Sequence, residues 1–394
     1  MSVRYRTLAL VVIGMCSPAA GQNTQQTTIP KQLLVDPPGL RLEQPSVLFQ
    51  RGVADTISEA SVSEIDASRN AYLVDRGNNI VRRFDVNGDV RLVIGRPQER
   101  RLVFRQPWDV AAARDSILIL DIAATAAGTI LKLHLLTSSG LPRGSVEERS
   151  GDNRRLGWPP RDFVATDRGW LLAKVIPAQT VREPRKGPFI DTVRVFSVEP
   201  STFRLTKFID IPVVARYSIG ATVASRFMEL HPSYAIASDG RIYLNTAGGF
   251  VIDVLSRTGR AERRVFGAVD RISVTDADLR AYLATTQAQQ TTTQARAAWV
   301  EHGMWLGRAA HRPVIGSMVA SRGGRVFVRR LDVESQTAGN ETVWDLINIE
   351  DGIVGRLKLP QGVALSKFDW PYIYVNLGPG QRWQVVRYRI GSAK

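Results

Sequence analysis

Six polar residues recur at one position of a repeated sequence unit, directly after its second apolar run. In chain order they are Asp75, Asp121, Lys174, Asn245, Arg329 and Asn376. The two aspartates could bind a cation or act as acid and base, and the two asparagines would add neutral oxygen ligands that suit a hard ion such as calcium. The lysine and the arginine would orient an anionic substrate. Together the six would form a ring of ligand-binding residues at one mouth of a channel.

A turn role is the competing interpretation of the same positions. Asp and Asn at the end of a strand commonly hydrogen-bond the backbone of their own turn, and Asn78 follows Asp75 closely enough to share one. The standard motifs of nucleophilic, zinc-dependent and nucleotide-binding enzymes are absent from the sequence. No cofactor is expected; if a metal were bound, calcium would be the candidate and its ligands would be Asp75, Asp121, Asn245 and Asn376.

The unit that positions these residues recurs six times. It consists of an apolar run, a turn containing Asp or Gly and a second apolar run, and its copies span residues 64–75, 109–121, 162–174, 234–245, 317–329 and 363–376. Two further runs follow in several copies, as in "IVRRFDVNGD" and "VRLVIG" of the first. Four short antiparallel strands per unit predict an all-β, six-bladed β-propeller. Residues 37–49 would supply the fourth strand of the last unit and close the ring, which leaves no exposed edge.

One segment departs from the strand pattern. Between the fourth and fifth units, residues 273–305 place Leu279, Tyr282 and Leu283 at helical spacing. Thr275 and Asp278 have the spacing of a capping box, which marks the start of a helix. We therefore expect a helical insertion, or two short helices around a polar Gln/Thr stretch, between blades four and five.

The stretch "YLVDRGNNIVRRFDVNGD", residues 72–89, resembles the NHL-repeat pattern of a strand, an Asp, an Asn and a second strand that ends near Phe-Asp and a Gly turn. The matching positions are Asp75, Asn78, Ile80, Phe84, Asp85 and Gly88. The six-unit layout is similar to that of exported bacterial six-bladed propellers related to NHL and TolB-like proteins, although the strongest motif occurs once. The resemblance implies the propeller fold and leaves function open, because propellers include both enzymes and binding scaffolds.

The N-terminus has the features of a secretory signal. Arg4 and Arg6 precede an apolar run over residues 8–15, and small residues follow at 19–21. We expect residues 1–21 to be a signal peptide, residues 22–36 a flexible segment and residues 37–394 a single propeller domain. The protein would then be exported, to the periplasm or the extracellular space. Lipid anchoring through Cys16 is not expected, because Met15 is not the small residue that a lipid-attachment site has there.

Charge and hydropathy narrow the function classes. The formal net charge is +15, but the basic residues are spread along the chain and nucleic-acid binding would conflict with export. No later stretch reaches ~18 apolar residues, so no transmembrane segment is expected. The sequence favours a monomeric exported propeller that binds a protein, peptide or glycan on one face without catalysis. The alternative is a metal-dependent hydrolase or lyase of the lactonase type, with its site at the mouth of the central channel.

Overall fold

Six β-sheets form the blades of a propeller around a central axis. Each blade is built on four antiparallel strands, so the predicted all-β, six-bladed fold is confirmed. The structure is a computed structural model, and it describes residues 24–50, 60–95, 102–113, 115–125, 128–147, 161–167, 169–176, 189–219, 222–256, 258–288, 290–334, 341–377 and 384–392.

The elements follow one another blade by blade. The first described elements are β1 (Gln25–Ile29), α1 (Lys31–Val35) and β2 (Leu40–Gln50). Blade one contains β3 (Ala60–Ile65), β4 (Ala71–Asp75), β5 (Ile80–Phe84) and β6 (Val90–Ile94). Blade two contains β7 (Pro107–Ala112), β8 (Ser116–Thr125), β9 (Gly128–Thr137) and β10 (Pro142–Glu147). Blade three contains β11 (Asp162–Thr166), β12 (Gly169–Ile176), β13 (Phe189–Glu199), β14 (Arg204–Ile219) and the short β15 (Thr222–Ala224).

The second half of the ring repeats this plan. Blade four contains β16 (Ser233–Ile236), β17 (Ile242–Asn245), β18 (Phe250–Leu255) and β19 (Ala261–Gly267). The helices α2 (Asp276–Gln287) and α3 (Thr293–Leu306) come next. Blade five contains β20 (Ile315–Ala320), β21 (Arg325–Arg330), the short helix α4 (Leu331–Glu334), β22 (Glu341–Asn348) and β23 (Gly352–Pro360). Blade six contains β24 (Val363–Asp369), β25 (Tyr372–Leu377) and β26 (Gln384–Ser392).

The core lies between the blades. Six clusters of buried apolar side chains fill the six interfaces between neighbouring blades. All residues of β4 are buried, because Tyr72 and Val74 pack against blade two while Leu73 packs on the side of blade six. A strand that is covered on both faces is apolar at nearly every position. This explains why the second run of each unit reads as continuous apolar sequence.

The first strand of each blade lies nearest the axis. Neighbouring inner strands contact one another, as β24 does with β3 and β3 with β7. The outer strand of one blade leads to the inner strand of the next, so the blade-to-blade connections lie where the inner strands begin. We call this end of the ring the connection face, and it is marked by the first residues of the inner strands, Ala60, Pro107, Asp162, Ser233, Ile315 and Val363.

The two ends of the described chain close the ring in blade six. β2 pairs in antiparallel fashion with β26, from Leu40 opposite Ser392 to Gln50 opposite Gln384. β2 is therefore the outer strand of this blade, in the order β24-β25-β26-β2. The prediction that residues near 37–49 complete the last blade is confirmed.

The segment before β2 contains two short elements, β1 and α1. They lie within the segment 22–36, whose flexibility remains a prediction. β1 adds to blade four as a fifth strand, parallel to β19. Ile29 and Leu34 are buried in the cluster between blades four and five, so two apolar side chains in a polar segment anchor it. The predicted signal peptide and Cys16 lie outside the described residues.

The insertion between blades four and five is a helical hairpin, as predicted. Thr275 is the N-cap of α2, and its side chain accepts a hydrogen bond from the Asp278 backbone N–H while the Asp278 carboxylate accepts one from the Thr275 N–H. Leu279 and Leu283 are buried. None of the helices in the described ranges is long and apolar enough to cross a bilayer.

Candidate functional site

The six predicted site residues lie toward the connection face, near the ends of the second strands. Asp75 pairs with Ala60 across β3 and β4, and Asn245 pairs with Ser233 across β16 and β17. Asp121 pairs with Pro107, but β8 continues for several residues beyond it. The alignment of the units therefore places the six at similar heights in the ring.

The six side chains do not share one direction. Successive side chains of a strand point to opposite faces of the sheet, so each residue faces the same neighbour as the residue two positions before it. By this rule Asp75, Asp121 and Lys174 face the preceding blade, because Leu73, Ile119 and Leu172 do. Asn245, Arg329 and Asn376 face the following blade, because Tyr243, Phe327 and Tyr374 do.

The two aspartates are consequently separated by a sheet. Asp75 lies on the face of blade one that packs against blade six. Asp121 of blade two points toward blade one, whose facing side carries Tyr72 and Val74. The strands of blade one lie between the two carboxylates.

Asp75 hydrogen-bonds its own turn. Its Oδ1 accepts the Asn78 backbone N–H at 3.1 Å, its Oδ2 accepts Asn78 Nδ2 at 3.0 Å, and Arg82 forms an ion pair with Oδ2 at 3.1 Å. The carboxylate is fully buried. These contacts satisfy most of its acceptor sites and fix the turn between β4 and β5.

Asp121 holds the loop that leads into its blade. It accepts the backbone N–H groups of Arg105 at 3.0 Å and Gln106 at 2.7 Å, and His134 Nε2 lies 3.4 Å from its Oδ2. Burial opposes ionisation of this carboxyl, but the hydrogen bonds from His134 and the two amides outweigh it and lower the pKa of Asp121. The side chain thus fixes the connection between blades one and two.

The other four positions differ among themselves. Asn245 donates from Nδ2 to the carbonyl oxygens of Gly249 and Val251 in its own turn. Arg329 forms a two-pronged ion pair with Glu334 of α4, with both distances at 2.9 Å. Lys174 is buried, and Asn376 Oδ1 has no hydrogen-bond partner among the residues that the structure describes. Within the described ranges, no group of three or more His, Cys, Asp or Glu side chains is placed to hold a metal ion.

The inner strands bring a second set of polar residues to the axis, and sequence reasoning missed it. We call this set the channel cluster, and it contains Glu64, Asp109, Asp162, Tyr234, Arg322 and Lys367. Its hydrogen bonds join blades. Asp109 Oδ2 accepts the Phe163 N–H at 2.9 Å, and the Tyr234 hydroxyl donates to Asp162 Oδ2 at 2.6 Å.

Two contacts of the channel cluster cross the axis between blades that are not neighbours. Glu64 of blade one accepts the Ala165 N–H of blade three at 3.4 Å. Arg322 of blade five donates to the Ile65 carbonyl of blade one at 3.3 Å. The cluster therefore ties the blades together through the centre of the ring.

β-Bulges determine the side-chain direction of three of these residues. The strand register shifts between Val62 and Glu64 and between Pro107 and Asp109, and it shifts again directly before Lys367. A bulge inserts one extra residue and redirects the side chains that follow. The sequence carried a signal for the set, because an acid opens each of the first three units, at Glu64, Asp109 and Asp162.

Burial changes the ionisation of the channel cluster. It raises the pKa of Glu64 to about 7 and the pKa of Asp109 to about 7, against an opposing effect of the Lys367 ammonium on both. Asp162 adds to the increase at Asp109. Burial and the neighbouring Asp162 carboxylate also raise the pKa of the Tyr234 hydroxyl.

The space left between these side chains is small. A cavity of about 30 Å³ is lined by Glu64, Ser238, Arg322 and Lys367, together with residues of the inner strands around it. That volume is about one water molecule's share of the liquid. The Arg322 guanidinium narrows this part of the channel, because its Nε donates to Ser238 Oγ at 3.1 Å. At this level polar side chains of the described residues occupy the channel.

The helical hairpin stands on the connection face beside blade four. Tyr282 of α2 stacks on Phe227 of the connection between blades three and four, with 4.7 Å between ring centroids. Arg308 pairs with Asp276 at 2.6 Å and fixes the base of the hairpin. α3 has no buried residue, and its last turn presents Trp305, which is 65% exposed, next to Met304, which is 44% exposed.

Comparisons with known proteins place the chain by fold. No family model and no curated protein matches the sequence. A DUF4221 family member from Bacteroides vulgatus is similar over 90% of this chain and 99% of its own, with 10% identity and a TM-score of 0.51. A virginiamycin B lyase from Staphylococcus aureus matches over 89% of this chain and 99% of its own, with 12% identity and a TM-score of 0.39. A gluconolactonase from Xanthomonas campestris matches over 91% of this chain and 99% of its own, with 13% identity and a TM-score of 0.39. The first likeness supports the propeller fold and, at this identity, nothing further.

Proposed function

We propose that this chain is an exported, non-catalytic β-propeller of the NHL- and TolB-like kind that binds a protein ligand on its connection face. The observation that carries the proposal is α3, a helix of 14 residues with no buried side chain and with Trp305 and Met304 exposed at its end. Helices in proteins owe most of their stability to a packed apolar face. A helix that presents Trp and Met to solvent has the composition of an interface core.

The hairpin is held in place for such a role. The Thr275–Asp278 capping box fixes the start of α2, and the Trp299 indole N–H donates to Thr286 Oγ1 at 2.9 Å and joins the two helices. The Phe227–Tyr282 stack fixes α2 on the ring. Because the scaffold orients the hairpin, binding loses less conformational entropy than it would with a mobile loop.

The contacts of the two aspartates support a non-catalytic role. Asp75 accepts hydrogen bonds from Asn78 and Arg82, and Asp121 accepts two backbone amides and faces His134. A lactonase-type metal site would need these carboxylates to meet Asn245 or Asn376 around one point. Asp75 and Asn376 do face the same interface, between blades six and one, but the Asp75 carboxylate is occupied by Asn78 and Arg82, which favours binding over hydrolysis. Export rests on the predicted signal peptide at residues 1–21.

Truncation of Trp305 tests the proposed binding face. Cross-linking in the producing cell would identify the protein that contacts the hairpin, and its affinity would then be measured with both proteins purified. We expect Trp305→Ala to weaken binding roughly 30-fold, because a central interface Trp contributes about 2 kcal/mol or more. The control is Leu141→Ala, which removes another exposed apolar side chain, beside blade two. Equal affinity of the two variants would exclude the hairpin as the binding site.

Calcium addition separates the binding role from the lactonase-type alternative. A ligand that binds the native state increases the free energy of unfolding, by about 2.7 kcal/mol at a ligand concentration of a hundred times Kd, and therefore raises the melting temperature. We expect millimolar calcium to leave the melting temperature of the purified protein unchanged relative to an EDTA sample. A calcium-dependent increase that is lost in Asn376→Ala would instead support a metal site at the connection face.

A further inference from the structure

The axial cavity, the space of about 30 Å³ within the channel cluster, lies at the end of the channel away from the connection face. Ser238 and Arg322, which line it, follow the ends of the inner strands β16 and β20. Lys367 of β24 also lines it and is half-buried. The ammonium group of this lysine forms no hydrogen bond or ion pair with any residue that the structure describes. A charge that is removed from water is unfavourable unless an opposite charge compensates it.

The oxygen atoms around the axial cavity already accept hydrogen bonds from other groups. Glu64 accepts two backbone N–H groups, one through each carboxylate oxygen. Ser238 Oγ accepts Arg322 Nε at 3.1 Å. Asp369, which also lines the cavity, accepts Arg69 Nε at 3.2 Å through its Oδ2. In the described chain neither acid forms an ion pair with the lysine, so its counter-charge has to come from elsewhere.

Hydrogen-bond donors face this space from three blades. The Lys367 ammonium of blade six has three N–H groups. Arg322 of blade five uses Nε for Ser238 and one terminal nitrogen for the Ile65 carbonyl, and a guanidinium has further N–H groups beyond these. The Ser238 hydroxyl of blade four accepts from Arg322 and keeps its own hydrogen to donate. Two cations and a hydroxyl around a small space are a suitable set of donors for an anion.

Protonation of the neighbouring acids decides whether the cations need such an anion. Glu64 and Asp109, whose pKa values are raised by burial to about 7, are the two acids that interact with the Lys367 ammonium. When both are neutral, the channel cluster carries the charges of Lys367 and Arg322 against the Asp162 carboxylate alone, and Asp162 does not line the cavity. When both are ionised, the protein itself supplies the negative charge near the lysine.

We propose that the axial cavity binds one halide ion, such as chloride, between the Lys367 ammonium and the Ser238 hydroxyl, and that Glu64 takes up a proton when the ion binds. The volume is about one water molecule's share of the liquid, so a monatomic anion fits, whereas sulfate and phosphate are larger. A water molecule would fill the same space but would leave the lysine charge uncompensated. The cavity and the helical hairpin are at opposite ends of the ring, so this proposal does not depend on the protein-binding role.

Chloride titration of the purified protein tests the site, with sodium gluconate keeping the ionic strength constant. The increase in melting temperature with chloride concentration gives the apparent Kd. Because binding requires neutral Glu64, we expect the affinity to be about tenfold lower at about pH 8 than at about pH 6. Bromide-soaked crystals are expected to give an anomalous diffraction peak beside Lys367. Equal chloride affinity at both pH values, or no peak in the cavity, would overturn the proposal.

Three variants separate the site from general salt effects. Lys367→Met is expected to lose the chloride dependence at both pH values. Lys358→Met, which removes an exposed lysine of β23 paired with Glu341, is expected to retain full affinity. Glu64→Gln stays neutral and is expected to bind chloride more tightly than the unmodified protein at the higher pH. Equal losses in the two lysine variants would reduce the effect to screening of a basic protein. If Lys367→Met does not fold, Glu64→Gln decides, because an unchanged pH dependence in that variant would refute the coupling.

Discussion

Replacement of Asp345 by alanine is expected to lower the free energy of unfolding by about 3–5 kcal/mol, the usual effect of removing one partner from a buried ion pair. Asp345 is fully buried in β22. Its carboxylate accepts Arg330 at 2.5 Å and the guanidinium of Arg356 at 2.7 and 3.1 Å. Without it, the buried guanidinium of Arg330 and the partly buried one of Arg356 lose their shared counter-charge.

The effect extends beyond blade five. Arg330, which is 1% exposed, also pairs with Asp332 and stacks over Phe250 of blade four. Both arginines donate to the Leu34 carbonyl of α1, at 3.4 Å from Arg330 and 2.9 Å from Arg356. We therefore expect the attachment of α1 to loosen together with the interface between blades four and five.

A matched control exists in the preceding blade, blade four. Asp253 pairs with Arg264 across β18 and β19, as Asp345 does with Arg356 across β22 and β23. The control pair is at the surface, with the Arg264 side chain 53% exposed, and such pairs contribute at most about 1 kcal/mol. Guanidinium-induced unfolding of Asp345→Ala and Asp253→Ala measures the contribution of each ion pair to the free energy of unfolding. Similar midpoints for the two variants would contradict the assigned network.

Lowering the pH from about 8 to 5 is expected to stabilise the protein through the channel cluster. The folded-state pKa values of Glu64 and Asp109 are about 7, whereas their ordinary values are 4.5 and 3.8. Between the ordinary and the raised values the folded state binds more protons than the unfolded state, so stability falls as the pH rises through this window and levels off above it. At about 1.36 kcal/mol per pKa unit, the contribution of each group is roughly 3–4 kcal/mol over the full window.

The corresponding variants isolate this contribution. Glu64→Gln and Asp109→Asn keep the shape of the side chain and remove its titration. We expect the difference in unfolding free energy between each variant and the unmodified protein to change with pH between about 5 and 7. Asp89→Asn, which removes a carboxylate that is 64% exposed, serves as the control. Parallel stability curves for Glu64→Gln and the unmodified protein would show that Glu64 ionises normally.

Local patterns account for the parts of the fold that the sequence predicts. A hairpin brings residues together that are close in sequence, so the apolar runs of β4 or β21 and the turns after them are readable directly. The Thr275–Asp278 capping box is equally local. The pairing of β1 with β19 is not local, because Thr27 and Arg263, which form a hydrogen bond across it, are separated by 236 positions. A mostly polar strand such as β1 gives no sequence signal of its pairing partner.

The candidate site was harder to predict because side-chain direction depends on single-residue register. Asp75 and Asn245 both follow a second apolar run, yet one faces the preceding blade and the other faces the following blade. An offset of one residue reverses the face of a strand residue, and alignment of short apolar runs does not resolve such an offset. The bulges before Glu64 and Asp109 are also invisible in the sequence, although they determine which acids reach the axis.

The placement of residues 24–50 along the outside of three blades sets the order in which the protein can be completed. β1 pairs in blade four, Gly39 pairs with Arg356 of blade five, and β2 pairs in blade six. During synthesis this segment leaves the ribosome before any of these partners exist, and contacts so distant in sequence form slowly. β1 can pair once blade four has been made, but β2 remains unpaired until residues 384–392 have been made. β2 is therefore translated before all six blades and is among the last strands to pair.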